Sequence, residues 1–236
     1  MKHVYEFLTR LKDNNNREWF NLHKQEYIEV QMIFNNFTEQ LIARIESWDD
    51  DIKDSALSVK DCTYRIYRDT RFSKNKMPYK THIGAYICRK GKKSPYAGYY
   101  FHVEPTEKPN DLENRFLGNT LLASGLYCPQ PKVVQSLRDE ISVNGDSFLD
   151  AISLAKGFEL DTYNVLKKVP RGFEYAQERW HKLLKHKDFS IGTPLKLDIL
   201  FAGNDVLLEY VSERFKTCMQ FNRLLNLAVD YALEEM

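Results

Sequence analysis

The sequence lacks the short motifs that identify the common nucleotide-binding and hydrolase sites. It contains no P-loop, no G-x-G-x-x-G fingerprint and no G-x-S-x-G nucleophile turn. Only four of its 236 residues are cysteines, and none forms a C-x-x-C pair. Close pairs are what a disulfide framework or a structural zinc site would require. The sequence therefore predicts reduced, mostly buried thiols of a cytosolic protein at Cys62, Cys88, Cys128 and Cys218.

Long hydrophobic runs are also missing. No apolar stretch approaches the roughly 20 residues of a membrane-spanning helix, and residues 1–6 have no apolar core of a secretory signal. These absences predict a soluble, cytoplasmic protein with no membrane partner. Disorder is excluded, because 43% of the residues are hydrophobic and 13% are aromatic, enough for a substantial core.

A net charge of one sign is absent too, since 34 Lys and Arg balance 33 Asp and Glu. The balance conceals one strongly basic segment. Residues 60–96 contain eleven Lys or Arg and only two acids, Asp61 and Asp69. A local excess of positive charge in a nearly neutral chain indicates an anionic partner.

The apolar periodicity predicts a single α+β domain over residues 1–236. Two helices are expected in the N-terminal part, and Asn15 and Glu18 form a capping box that starts the second of them. Further helices are expected after Pro129 and from Asn204 onward. Between the N-terminal and the later helices lies a mainly antiparallel sheet, because the spacers are too short for crossover helices. Its predicted strands lie near residues 59–69, 83–89, 97–104 and 114–127, with a further strand near 194–201. Residues 90–95 are predicted to form a hairpin connection and residues 105–114 an exposed loop.

The basic segment is most concentrated between Tyr64 and His82. On an extended strand, alternate residues share a face. Arg68 then shares a face with Tyr64 and Ile66, whereas Arg65 lies on the opposite face with Tyr67 and Asp69. At least one arginine is thus predicted to be partly buried or to line a cleft. It would need a partner, either Asp69 or an external carboxylate or phosphate.

The same segment resembles the signature of a family found in bacteria and fungi, the domain of unknown function 2461. The resemblance covers residues 4–220 and implies one cytoplasmic domain, without implying an activity. Two departures are Ser124, where a second glycine before Gly125 is expected, and a longer loop at 105–116. The matching stretches are residues 64–73, 76–82, 15–20, 98–105 and 125–129, the last leading to Leu137 and Arg138.

A second group of candidate residues follows the segment. His102 and Glu104 are two apart on a predicted strand, so their side chains share a face. Together with His82 or Asp69 they could form a general acid/base pair or a metal site, or the histidine could simply hydrogen-bond to a carboxylate. Two ligands do not make a metal site, so no metal and no cofactor is predicted.

Three functions remain open from the sequence. The first is binding of a phosphorylated or other anionic ligand, a small molecule or nucleic acid, in a basic cleft. The second is an enzyme acting on an anionic substrate, with proton transfer by Asp69, His82, His102 or Glu104. The third is a docking protein for an acidic partner. The sequence does not determine the oligomeric state. The predicted ligand-binding residues are Arg65, Arg68, Arg71, Lys76, Tyr79 and Lys80.

Overall fold

A computed structural model describes residues 1–105 and 119–234 of the chain. In these residues, helices surround an antiparallel sheet of five strands, which confirms the predicted α+β class. The strands are β1 (Ile83–Cys88), β2 (Gly98–Val103), β3 (Leu121–Leu126), β4 (Glu159–Leu160) and β5 (Phe189–Pro194). The helices are α1 (Lys2–Asp13), α2 (Arg17–Leu22), α3 (Lys24–Glu46), α4 (Asp50–Lys53), α5 (Val59–Cys62), α6 (Pro131–Leu154), α7 (His181–Leu184), α8 (Leu197–Leu200), α9 (Asn204–Lys216) and α10 (Met219–Glu234).

The strands lie in the order β1-β2-β3-β5-β4, and every neighbouring pair is antiparallel. The predicted connection at residues 90–95 joins β1 to β2 as a hairpin. Lys90 and Gly91 both adopt positive φ values there, 64° and 80°, and glycine takes this conformation without steric cost.

One face of the sheet forms the hydrophobic core. Tyr99, Phe101 and Val103 alternate along β2 and are completely buried. The Phe101 ring lies 4.9 Å from the ring of Phe37 and 5.9 Å from that of Phe34, both on α3. At the edge of this core, the Tyr99 hydroxyl donates a 2.5 Å hydrogen bond to the buried carboxylate of Asp49.

Two of the predicted strands were wrong. Val59–Cys62 is a short helix that begins with a capping box between Ser58 and Asp61, and residues 63–67 form only isolated bridges. The strand expected near 194–201 is β5, which ends at Pro194 and is followed by α8. The predicted loop at 105–114 lies almost entirely outside the described residues.

Helix boundaries also differ from the predictions at two places. Asn16, not Asn15, caps α2, because its side chain accepts a hydrogen bond from the backbone N–H of Trp19. The single helix expected from Asn204 onward is two helices, α9 and α10. None of the described helices is long and apolar enough to cross a membrane.

Candidate functional site

A cavity of about 940 Å³ lies over the face of the sheet that is turned away from α3. Alternate residues of β1, β2, β3 and β5 form its floor, as the two-residue period of a strand requires. Tyr100 lies opposite Ala123, which in turn lies opposite Gly192. Small side chains on the neighbouring strands leave the space open. Gly84 contributes as well, since a Cβ atom there would lie 2.5 Å from the Tyr100 hydroxyl.

The walls of the cavity combine aromatic rings with positive charge. Among the described residues, four lysines and two carboxylates, Glu104 and Asp161, line it. The ammonium groups of Lys80 and Lys92 lie 5.3 and 5.8 Å from the centre of the same ring, that of Tyr64. The five lining tyrosines are Tyr64, Tyr86, Tyr96, Tyr100 and Tyr127, and the four lysines are Lys80, Lys92, Lys93 and Lys132.

A hydrogen-bonded chain of three side chains lies at one wall of the cavity. The hydroxyl of Tyr100 is 2.8 Å from Nδ1 of His102, and Nε2 of the same ring is 3.1 Å from a carboxylate oxygen of Glu104. In one tautomer of the neutral ring, Nδ1 accepts a hydrogen bond from the tyrosine O–H, and Nε2–H donates a hydrogen bond to Glu104. The hydroxyl of Thr81 donates to the second oxygen of Glu104 at 3.3 Å.

His82 completes the group. Its ring centre is 4.9 Å from that of His102. Burial lowers the pKa of His82 to about 4; the neighbouring His102 and the charges of Lys80 and Arg68 act in the same direction, and the carboxylate of Glu104 acts against them. His82 is therefore neutral at neutral pH.

Glu104 is ionised in this arrangement. Burial by itself would raise the pKa of its carboxyl group. The hydrogen bond from His102, the electrostatic interactions with the two histidines and the hydrogen bond from Thr81 outweigh burial and lower the pKa of Glu104 below its ordinary value. The site thus pairs the ionised carboxylate of Glu104 with the neutral imidazole of His82 at neutral pH.

The structure brings four of the sequence-predicted residues together at the cavity and leaves the others outside it. Lys80, His82, His102 and Glu104 line the cavity. Asp69 is on the surface, where it forms a salt bridge of 2.6 Å with Arg71. Arg65, Arg68, Arg71, Lys76 and Tyr79 are not among the lining residues.

All of these outlying residues except Arg65, which precedes it, belong to the basic loop, residues 68–80. Its ends are joined by backbone hydrogen bonds from Arg68 to Pro78 and from Lys80 to Ile66. The side chain of Asn15 fixes the same place, accepting from the N–H of Tyr79 at 3.1 Å and donating to its carbonyl at 3.0 Å. Lys80 lies at the end of the loop, which brings it to the cavity.

Tyr79 and Lys76 have local partners instead of cavity positions. The Tyr79 ring is buried and stacks on Phe20 at 3.9 Å between centroids. The ammonium group of Lys76 donates to the carbonyl of Thr70 at 3.0 Å. The stacking of Tyr79 on Phe20 anchors the end of the basic loop, whereas the exposed Lys76 bonds within the loop itself.

Comparison of the chain with models of known protein families confirms the family that the signature of this loop indicated. Residues 3–223 match the model of the family described as Conserved hypothetical protein (DUF2461). The chain belongs to that family. No curated protein and no solved structure matches the chain.

Sequence reasoning missed several cavity residues of this DUF2461 chain. Tyr100 shares a strand face with His102 and could have been found by the same alternation. Lys92 lies in the predicted hairpin connection, where no pattern distinguishes a cavity lysine from a solvated one. Tyr127 and Lys132 come from the turn after β3 and the first turn of α6, and only the tertiary fold brings them to the site.

Proposed function

We propose that the protein binds a small molecule that carries a phosphate or carboxylate group on an aromatic or apolar body. The observation that supports this most is Lys80. Its side chain is half-buried at the cavity, and in the described part of the chain it contacts the ring of Tyr64 and forms no salt bridge. An anionic ligand would give this cation a charged partner that no described residue supplies.

Electrostatics at Lys80 favour such a ligand. Burial lowers the pKa of Lys80, and the charges of Arg65 and Arg68 lower it further. A half-buried ammonium group among other cations is destabilised, and an anion placed beside it relieves both the repulsion and the loss of hydration. Arg65 and Arg68 thus contribute to the site at longer range.

The size of the cavity favours a small molecule over nucleic acid. A volume of about 940 Å³ lies within the range of ligand pockets, roughly 300–1,000 Å³. Five tyrosines around it supply flat apolar surface and hydroxyl groups for the body of the ligand. Nucleic-acid binding would instead follow the exposed basic loop, and its affinity would fall steeply with salt.

Thermal stability in the presence of anionic compounds tests the proposal. A panel of aryl phosphates, nucleotides, sugar phosphates and aromatic carboxylates should contain compounds that raise the melting temperature, while their uncharged analogues do not. The variant Lys80→Met should bind the best compound at least about 10-fold more weakly, because charge-assisted hydrogen bonds contribute roughly 1.5–3 kcal/mol. Calorimetry gives the affinities.

Lys76→Met is the matched control, because Lys76 belongs to the same loop but lies outside the cavity. It should bind with wild-type affinity. Equal losses in Lys76→Met and Lys80→Met would show that the ligand binds on the exposed loop. A panel without any stabilising anion would contradict the proposal.

The second candidate is an enzyme that acts on the same anionic substrate. It is favoured by the chain of Tyr100, His102 and Glu104, which reaches the cavity wall with a hydroxyl and an imidazole poised for proton transfer. Each compound that stabilises the protein should then be assayed for conversion by NMR. Glu104→Gln should slow any turnover about 10²–10⁴-fold. If no stabilising compound is converted, the protein is a binding protein and not an enzyme.

The four cysteines support a reducing, cytoplasmic location for this function. All four are free thiols, and burial raises the pKa of Cys62 and Cys218 to about 12. Thiols with such pKa values are unreactive as nucleophiles at neutral pH. Cell fractionation with a tagged chain tests the location, and recovery in a secreted or periplasmic fraction would contradict it.

A further inference from the structure

We propose that His82, His102 and Glu104 together bind a divalent first-row transition-metal ion at the wall of the cavity. This site goes beyond the binding of an anion, since it supplies a cation of its own to the cavity. The three residues are each half-buried or buried. Two imidazoles and one carboxylate are a donor set that suits zinc, iron, cobalt and manganese.

The sheet places the three ligands next to one another. β1 and β2 are paired with Gly84 opposite His102 and Ile83 opposite Val103. Continuing that register sets His82 beside Glu104. His82 directly precedes β1 and Glu104 directly follows β2. Residues two apart on extended backbone share a face, so His102 and Glu104 point to the same side as His82. The cluster is therefore held by two paired strand ends, and a rigid support of this kind favours a defined metal geometry.

The distances are close to those of a coordination shell. Metal–ligand bonds of about 2.1 Å put two ligand atoms about 3–4 Å apart. Nε2 of His102 and the Glu104 oxygen are already 3.1 Å apart. One ligand atom from each of the three residues lies within 4.8 Å of the other two. Closing the shell thus requires His82 to shift by about an ångström, which a side-chain rotation provides.

His102 on β2 and Glu104 directly after it have outer partners that fix their orientation. Nδ1 of His102 is 2.8 Å from the Tyr100 hydroxyl, so Nε2 remains available to a metal while Nδ1–H donates to the tyrosine oxygen. The hydroxyl of Thr81 contacts the second oxygen of Glu104. Outer contacts of this type hold the rings and carboxylates of metal sites in place.

The remaining coordination positions face the cavity, because all three ligands line it. An ion with only three protein ligands keeps positions for water or for a ligand atom. The single carboxylate of Glu104 neutralises only half of the charge of a divalent ion. The nearby side chains of Lys80 and Arg68 add positive charge around His82. The bound ion would therefore retain positive charge and attract the same anionic compounds that Lys80 favours.

The test is a titration of the tag-free full-length chain, stripped with a chelator, with zinc, manganese or cobalt ions alone. One ion per chain is expected by calorimetry, and cobalt should give the visible absorption of a nitrogen- and oxygen-ligated ion. Glu104→Gln and His82→Ala should each weaken binding about 100-fold or more, and Tyr100→Phe about 10-fold. His3→Gln, which changes a histidine outside the cavity, should bind as the wild type does.

Less than one equivalent of bound ion in the wild type overturns the proposal. So does unchanged affinity in Glu104→Gln, whose near-identical size preserves the fold. Melting curves without metal identify any variant that unfolds, and the cobalt spectrum of the wild type does not depend on variants. Anion binding is measured separately in chelator, so a failed metal site and a failed anion site give different results.

Discussion

Replacing Phe101 with alanine is expected to lower the free energy of unfolding by about 3–5 kcal/mol. Phe101 is completely buried on β2, and its ring contacts Phe34 and Phe37 of α3. Truncation removes the contact that joins the longest N-terminal helix to the centre of the sheet and leaves a cavity that the rigid strands cannot close. Urea denaturation followed by circular dichroism measures the loss.

Phe72→Ala is the matched control for this prediction. Phe72 is 95% exposed in the basic loop, so the same chemical change should alter stability by less than about 0.5 kcal/mol. A loss below about 1 kcal/mol for Phe101→Ala would mean that α3 does not pack on β2 as described. His102 follows Phe101 directly, so the variant should also weaken ligand binding in the cavity through displacement of the strand.

The helices were the part of the fold that the sequence predicted best. Val4, Phe7, Leu8 and Leu11 follow the helical period and are all buried in α1. The strand expected at residues 59–69 failed because local capping by Ser58 and Asp61 starts a helical turn, which outweighs the β-preference of the aromatic residues that follow. The position of a strand depends on pairing with residues far along the chain, and a local sequence pattern does not identify those residues.

The site was predictable only where one strand carries it. The two-residue period placed His102 and Glu104 together, because that relation holds within a single strand. The cavity itself requires the small residues Gly84, Ala123 and Gly192, which lie on three different strands. The Tyr100 hydroxyl occupies its position only because Gly84 has no side chain that would clash with it. Whether the arginines of the basic loop hold a ligand stays a prediction, since they lie outside the cavity lining.

Gly125→Ala is expected to destabilise the protein by about 4 kcal/mol or more, the second large effect. Gly125 has a φ of 114°, which side-chain-bearing residues rarely adopt. A Cβ atom there would lie 2.2 Å from the carbonyl oxygen of Phe189 on β5. That oxygen belongs to the backbone of the paired strand, so the clash cannot be relieved by a side-chain rotation. Ser124, the departure from the expected double glycine, is tolerated because its hydroxyl donates to the carbonyl of Gly98.

Gly172→Ala separates the clash from the backbone strain. Gly172 has a comparable φ of 91°, and a Cβ atom added there would meet nothing within 4 Å. This control should lose only the cost of the unfavourable conformation, about 1–2 kcal/mol. The difference in stability between the two variants, measured by urea denaturation, then reports the close approach of β3 and β5.

Because Gly125 also lines the cavity and its carbonyl accepts from the Tyr86 hydroxyl at 2.8 Å, Gly125→Ala should impair ligand binding as well, whereas Gly172→Ala should not. Equal losses of stability in the two variants would place β5 farther from β3 than the register requires.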